Sequence, residues 1–406
     1  MQPDFIFATY RVQDREANLM KRAESIAIGL TVGSWTELPQ ARKDEVARHC
    51  GVVQGVEVYA AGDDGLVWAD IRIGYPLANF TETMAALLTT VFGKLSMDGV
   101  IRLVRLDLPE TYISRFAGPK YGVDGIRERL GVPERPLLMS IFKSCIGQSL
   151  DDLRAHFREQ AQGGADLIKD DEIFFTEEYA TPEQRVIAYH TEAERAYEQT
   201  GQLAHYAVNL TGPVTELRQQ AKRLCDAGAE ALLFNVYAYG LDALREVAAD
   251  PAVTAPIIAH PAMAGALYAA THHGIAASIV LGQLLRLCGA DVAIYPSPYG
   301  SVTLQREDGD ALLQALREAR GHLRISLPAP SAGIFPGLVP ALVRDAGRDV
   351  IVNAGGGIHG HPGGATAGGQ AFRAAIDSVM RGEPLAVAAL TSEPLRQALV
   401  KWGEGQ

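Results

Sequence analysis

From residue 136 onward the chain repeats one pattern eight times: a short apolar run, then a longer stretch with apolar residues at helical spacing. The runs are PLLMSIF, ADLIK, AHYAVN, EALLFNV, APIIAH, DVAIY, RISLPA and DVIVNA. Stretches such as LDDLRAHFREQAQ, PVTELRQQAKRLCDAG, IAASIVLGQLLRLCG and GQAFRAAIDSVMRG separate them. Eight strand-then-helix units in roughly 270 residues predict a (β/α)8 TIM-type barrel. A doubly wound open sheet is the alternative, but the count closes at eight and the length suits a barrel. Chemistry in such barrels sits at the C-terminal ends of the strands, so the residues after each apolar run are the ones to inspect.

The segment before residue 125 reads differently. FIFATYRV, GVEVYAAG, LVWADIRIGYP and IRLVRLDLP are β-rich, while ANLMKRAESIAIGL and FTETMAALLTTVFG carry helical periodicity. This predicts an N-terminal α+β sandwich domain over 1–125 with a mostly antiparallel sheet. Closely spaced Gly and Pro in FAGPKYGVDGIRERLGVPERP mark the boundary, and the barrel takes 126–406. The whole is an α/β chain of two domains, as 406 residues suggest.

A net charge of −11 argues against nucleic acid or an anionic membrane as partner. It leaves a small anionic substrate open. Four scattered cysteines without a CxxC pair argue against a disulfide framework or zinc site, and suit a reducing cytoplasm. The N-terminal residues show no basic stretch followed by an apolar run, and no apolar run reaches membrane-spanning length.

The second barrel run ends in GGADLIKDDEIFF, residues 163–175. Strand side chains alternate, so Lys169 and Asp171 point the same way, and Glu172 can join them once the strand ends. Two carboxylates so placed make a site for a hard cation such as Mg²⁺, which prefers oxygen ligands. A lysine ammonium cannot ligate a metal, but a carbamate formed on it from CO₂ would be a third anionic ligand. The plain alternative is a solvated charged turn. Near the end of the chain, NAGGGIHGHPGG (353–364) follows the eighth run. Barrels commonly bind phosphate with the loops after strands seven and eight, where glycine lets backbone N–H groups approach the anion. Gly355-x-Gly357-x-x-Gly360 also matches a dinucleotide fingerprint, but too few residues follow for the rest of such a domain.

GGADLIKDDE resembles the signature shared by RuBisCO and the RuBisCO-like proteins, and the resemblance runs over nearly the whole chain. It implies that Lys169 carries the carbamate and that Asp171 and Glu172 complete a Mg²⁺ site, with Asp170 beside them at the substrate. SIFKSCIGQS (140–149) resembles the first barrel strand and implies a substrate contact for Lys143. HPAMAGAL (260–267) implies one for His260. PSAGIFPGLVPALV (330–343) implies that Ser331 and Gly333 lie in the substrate loop, and NAGGGIHGHPGG that Gly355 and Gly356 hold phosphate.

Departures from the carboxylases bear on the reaction. YPSPYGSVTLQRED (295–308) lacks the lysine that carboxylases carry in the loop after strand six. Pro261 follows His260 where carboxylases have an arginine, Cys145 replaces a second lysine near strand one, and Gly29 stands where a glutamate precedes TVGSWTEL (31–38). The phosphate glycines remain and the CO₂-fixing groups do not. Within the group, TTVFGKLSMDG, FNVYAYGLD and YPSPYGSV resemble the methionine-salvage branch, which enolises a 2,3-diketone carrying a 1-phosphate. That implies Lys94, in FGKLS, as general base, with Lys143 stabilising or reprotonating oxygen. It also implies a homodimer in which the N-terminal domain of one copy covers the barrel mouth of the other. Taken alone, Lys94 is an ordinary exposed lysine at a helix end. The rivals are a RuBisCO-like isomerase acting on 5-methylthioribulose 1-phosphate, a true carboxylase, and a non-catalytic sugar-phosphate-binding regulator. His272 and His273 are expected at the surface, and Cys145 is expected to pack rather than react.

Overall fold

The computed structural model describes residues 4–33, 42, 45–61, 63–302 and 304–405. Residues 34–38, the Ser-Trp-Thr-Glu-Leu part of TVGSWTEL, lie outside them. In the N-terminal domain β1 (Phe5–Asp14), β2 (Val52–Ala61), β3 (Val67–Pro76) and β4 (Ile101–Asp107) pair antiparallel in the order β4-β1-β3-β2. Alternation along β1 buries Ile6, Ala8, Tyr10 and Val12 on one face. The helix Glu16–Gly29 adds Leu19, Ala23, Ile26 and Ala27 to the same core. Each leucine, isoleucine or valine among them taken fully out of water contributes about 2 kcal/mol, and each alanine methyl less than about 1 kcal/mol.

All eight predicted barrel strands form: β5 (Leu137–Ile141), β6 (Leu167–Lys169), β7 (His205–Asn209), β8 (Ala231–Asn235), β9 (Ile257–His260), β11 (Val292–Pro296), β12 (Leu327–Ser331) and β13 (Ile351–Ala354). They are parallel and in barrel order, so the open doubly wound sheet is excluded. Main-chain ladders join every neighbouring pair except β12 and β13. There the Asn353 Nδ2 donates to the Ser331 Oγ at 3.0 Å. Between β9 and β11 a two-residue strand, β10 (Gly274–Ile275), leaves the barrel and pairs parallel with β4. The barrel segment thus supplies the fifth strand of the N-terminal sheet.

Alternation also decides what fills the barrel. Leu137, Met139, Leu167, Ala207, Leu233, Ile258, Ile294, Ala329 and Ile351 point inward and pack as one cluster. Val123 and Ile126, from the helix Gly122–Leu130, join this cluster from below. Two residues further along each strand, the next inward positions are Ile141, Lys169, Asn209, Asn235, His260, Pro296, Ser331 and Asn353. The barrel is therefore apolar at its base and mostly polar at its C-terminal mouth.

Candidate active site

At that mouth lies a cavity of about 490 Å³. Lys143, Glu172 and His260 line one part, and Ser331, Gly333, Gly355, Gly356 and Asn353 another. Tyr268, Ile294, Pro296 and Val302 give it an apolar wall.

The charged groups are closely interlocked. Lys169 is fully buried, its Nζ 2.9 Å from the Asp170 carbonyl oxygen and 3.7 Å from the Glu172 Oε2. Burial pushes its ammonium below the ordinary lysine range, against the pull of Glu172 and Asp171. The Lys143 Nζ donates to the Asp171 Oδ2 at 2.5 Å. The Glu172 Oε2 also lies 3.4 Å from the His260 Nε2. The His260 Nδ1 accepts from the Ala262 N–H at 3.2 Å, so the neutral ring carries its hydrogen on Nε2, facing Glu172. Burial, with Lys169 nearby, pushes His260 down to about 2. Burial raises the Glu172 carboxyl, but Lys169 and the neighbouring donors outweigh it and hold that carboxyl below its ordinary value.

The structure corrects one site residue. Asp170 points out of the barrel, like Ile168 two positions earlier, and is fully buried between strand and helix. Its carboxylate accepts from the Tyr206 hydroxyl at 2.6 Å, the Asn209 N–H at 3.0 Å and the Arg185 Nη2 at 3.3 Å. With those partners taken, Asp170 does not reach the cavity. It fixes the strand from which Lys169 and Asp171 project.

Several residues that sequence reasoning passed over support the site. The Asn235 Nδ2 donates to the Glu172 carbonyl at 3.0 Å, and the Asn209 Nδ2 donates to the Phe174 carbonyl at 3.3 Å. Together they hold the turn that carries Glu172. The available signal was an asparagine closing three apolar runs, in AHYAVN, EALLFNV and DVIVNA. His359 and His361 are engaged elsewhere, by the Ile141 and Pro394 carbonyls, and do not line the cavity. Cys145 is buried, and burial pushes its thiol up to about 11, as packing requires. His273 is half-buried at the surface, with its ring nitrogens facing the Gly99 and Ser96 carbonyls, to one of which a neutral ring donates.

Lys94 is absent from this cavity. It is exposed, between the π-helical turn Thr89–Gly93 and the 3-10 turn Leu95–Met97. With Arg22, Ser25, Gly29, Met97 and Asp98 it lines a separate depression of about 400 Å³ on the N-terminal domain.

The family model for the ribulose bisphosphate carboxylase large chain, catalytic domain, matches residues 122–402. The chain belongs to the RuBisCO large-chain family. Among its RuBisCO-family relatives, the 2,3-diketo-5-methylthiopentyl-1-phosphate enolase of Geobacillus kaustophilus is 48% identical over 405 residues, covering 98% of each chain. The enolase of the same name from Bacillus licheniformis is 48% identical over 398 residues, again covering 98% of each. Among solved structures, the RuBisCO-like protein (MtnW) of Alicyclobacillus acidocaldarius is 60% identical with a TM-score of 0.95, covering 98% of this chain and 100% of that one. A RuBisCO from Pyrococcus horikoshii has 30% identity and a TM-score of 0.89, covering 98% and 94%. This RuBisCO-family chain therefore shares its fold with a ribulose-1,5-bisphosphate carboxylase/oxygenase and with a RuBisCO-like protein alike. Among the described residues Val302 is what the loop after β11 contributes to the cavity wall, and Lys143 is the one lysine among the lining residues.

Proposed function

We propose that this chain is an isomerase that converts 2,3-diketo-5-methylthiopentyl 1-phosphate to its 2-hydroxy-3-keto enol phosphate, a step of methionine salvage in the cytoplasm, without fixing CO₂. The observation that carries this reading is the make-up of the cavity. Acid–base groups and glycine backbone meet around an apolar wall, with no lysine from the loop after β11 to receive CO₂. The full-length similarity to enolases of that name supports it.

The donor set fits Mg²⁺ once Lys169 is carbamylated. Among the described residues no three His, Cys, Asp or Glu side chains converge as ligands. Asp171 and Glu172 supply two carboxylates, and the buried Lys169 amine stands where a third anionic group is needed. Burial favours the neutral amine, the form that reacts with CO₂. When bound, Mg²⁺ supplies Lewis-acid stabilisation of negative charge developing on the substrate oxygens.

The remaining steps belong to the chain's own groups. Gly333, Gly355 and Gly356 receive the phosphate through backbone N–H groups, with Ser331 beside them. Lys94 Nζ takes the proton from C1, and Lys143 Nζ donates to the C2 oxygen, so the substrate tautomerises with no net gain or loss of atoms. His260, neutral with Nε2–H toward Glu172, keeps that carboxylate oriented. Tyr268, Ile294 and Val302 take the methylthio end.

Because Lys94 lies outside the cavity of its own chain, the base comes from a second copy, in a homodimer whose N-terminal domain covers the partner's mouth. Exposed Ile146, Ile173, Phe175 and Met263, on loops at that mouth, support such a cover. In this reading residues 1–125 serve as cover and base carrier, and residues 126–406 hold the metal and substrate. Ultraviolet-monitored turnover with Mg²⁺ and bicarbonate tests the proposal. Wild type turns over only with the metal, and Lys94→Ala lowers kcat by at least about 100-fold, the scale of a lost general base. No turnover by folded, metal-loaded wild type, or full turnover by Lys94→Ala, overturns the substrate or the base respectively.

A further inference from the structure

The segment that follows β9 touches two places at once. Its first residues, Pro261, Ala262, Gly265 and Tyr268, line the cavity. Its last residues grip the N-terminal domain next to Lys94. The Arg102 Nη1 donates to the Ala270 and Thr271 carbonyls at 2.7 and 3.1 Å, and Gly274–Ile275 pairs with Arg102 and Leu103. Between these contacts, the His273 ring lies with Nδ1 2.9 Å from the Gly99 carbonyl and Nε2 3.1 Å from the Ser96 carbonyl. Ser96 lies within the turn that begins at Lys94, whose own carbonyl accepts from the Met97 N–H at 3.2 Å, and Gly99 lies just beyond it. The ring is also 6.1 Å from that of Phe92, on the other side of Lys94.

We propose that His273 is a positioning residue for Lys94: from the barrel segment that lines the cavity, it fixes the main chain on which the lysine stands. The proposal rests on the reading of Lys94 as the base. A lysine on a flexible stem reaches a carbon acid reproducibly only if its backbone is held, and main-chain carbonyls offer a fixed point that side-chain pairing would not. The neighbouring turn has no other barrel side chain bridging Ser96 and Gly99 among the described hydrogen bonds. Since the same segment lines the cavity of its own barrel, the grip also links one substrate site to the lysine that serves the other.

The test compares His273→Ala, His273→Gln, His272→Ala and Lys94→Ala in the full-length protein with Mg²⁺, bicarbonate and the diketone phosphate. A base displaced by a fraction of an ångström to an ångström costs tenfold or somewhat more, so His273→Ala is expected to lower kcat roughly tenfold with KM within about twofold. His273→Gln, whose amide nitrogen carries two hydrogens, recovers part of the loss. His272→Ala leaves both constants unchanged, because the His272 ring lies against Trp68 at 4.7 Å, tilted by 39°, rather than against the Ser96 and Gly99 carbonyls. An unchanged kcat in His273→Ala overturns the proposal, as does a joint change in kcat, KM and melting temperature that His273→Gln does not relieve. Full activity in Lys94→Ala would instead overturn the base assignment, and is read from its own variant.

Discussion

Asp170→Asn separates two roles for a residue in the middle of the KDDE motif. In the structure Asp170 is the anionic partner of Arg185, a guanidinium that is 1% exposed and otherwise held by the Ala180 carbonyl, the Tyr206 hydroxyl and the Phe174 ring at 4.1 Å. Asparagine has one acceptor oxygen: placed on the Asn209 N–H and Arg185 side it leaves its Nδ2 facing the Tyr206 hydroxyl, whose hydrogen must turn away, and the negative charge is gone, so Arg185 is buried without a counter-ion. Breaking a buried pair by removing one partner costs 3–5 kcal/mol, and the retained hydrogen bonds place this change near the lower end, about 3 kcal/mol. With a urea dependence of about 3 kcal/mol per molar, the unfolding midpoint falls by ~1 M. The assay is urea unfolding at fixed protein concentration, since a dimer's stability depends on it, alongside steady-state kinetics in buffer. KM for the diketone phosphate should stay within about twofold, because Asp170 faces away from the cavity. A midpoint equal to wild type together with a KM raised about tenfold would refute the reasoning and return Asp170 to the substrate.

Asp166 tests the acid limb of stability. It is 1% exposed, paired to both Arg135 nitrogens at 2.7 Å, and accepts from the Leu138 N–H at 2.8 Å. Burial raises its carboxyl, but Arg135, Arg373 and that N–H outweigh burial and hold it below the usual range. A depressed folded value means that its stabilisation is complete above the unfolded value of about 4 and is lost as pH falls below it. Urea midpoints from pH 7 down to 4 and below should therefore drop for wild type, whereas Asp166→Asn starts lower and falls less steeply. Gly355→Ala probes the phosphate loop: a Cβ there would sit 3.0 Å from the Lys143 Cε, while φ of −111° imposes no strain. The lysine must shift, so activity is expected to fall roughly tenfold with the unfolding midpoint unchanged; wild-type kinetics would place Lys143 outside the reaction. Mixing Lys94→Ala with Lys169→Ala, each inactive alone, should restore roughly a quarter of wild-type activity through randomly reassorted dimers. No recovery after subunit exchange would show that base and metal site lie in one chain.

Much of this molecule was legible in the sequence because strands and helices impose short periods. Eight apolar runs at regular spacing fixed the barrel. Alternation within ADLIKDD placed Lys169 and Asp171 on one side and, followed strictly, already placed Asp170 on the other; the resemblance to the family had pulled Asp170 into the site against that alternation. The departures at Pro261, Cys145 and the loop after β11 were equally plain, being residue identities rather than positions. What the sequence could not supply was distance between parts far apart in the chain. Only folding brings the strand-end asparagines under Glu172, makes Gly274–Ile275 a strand of the other domain, and sets His273 against the turn of Lys94. These contacts join residues that no local period relates, and they form because closing a barrel forces its strand ends, and the loops they carry, into one small volume.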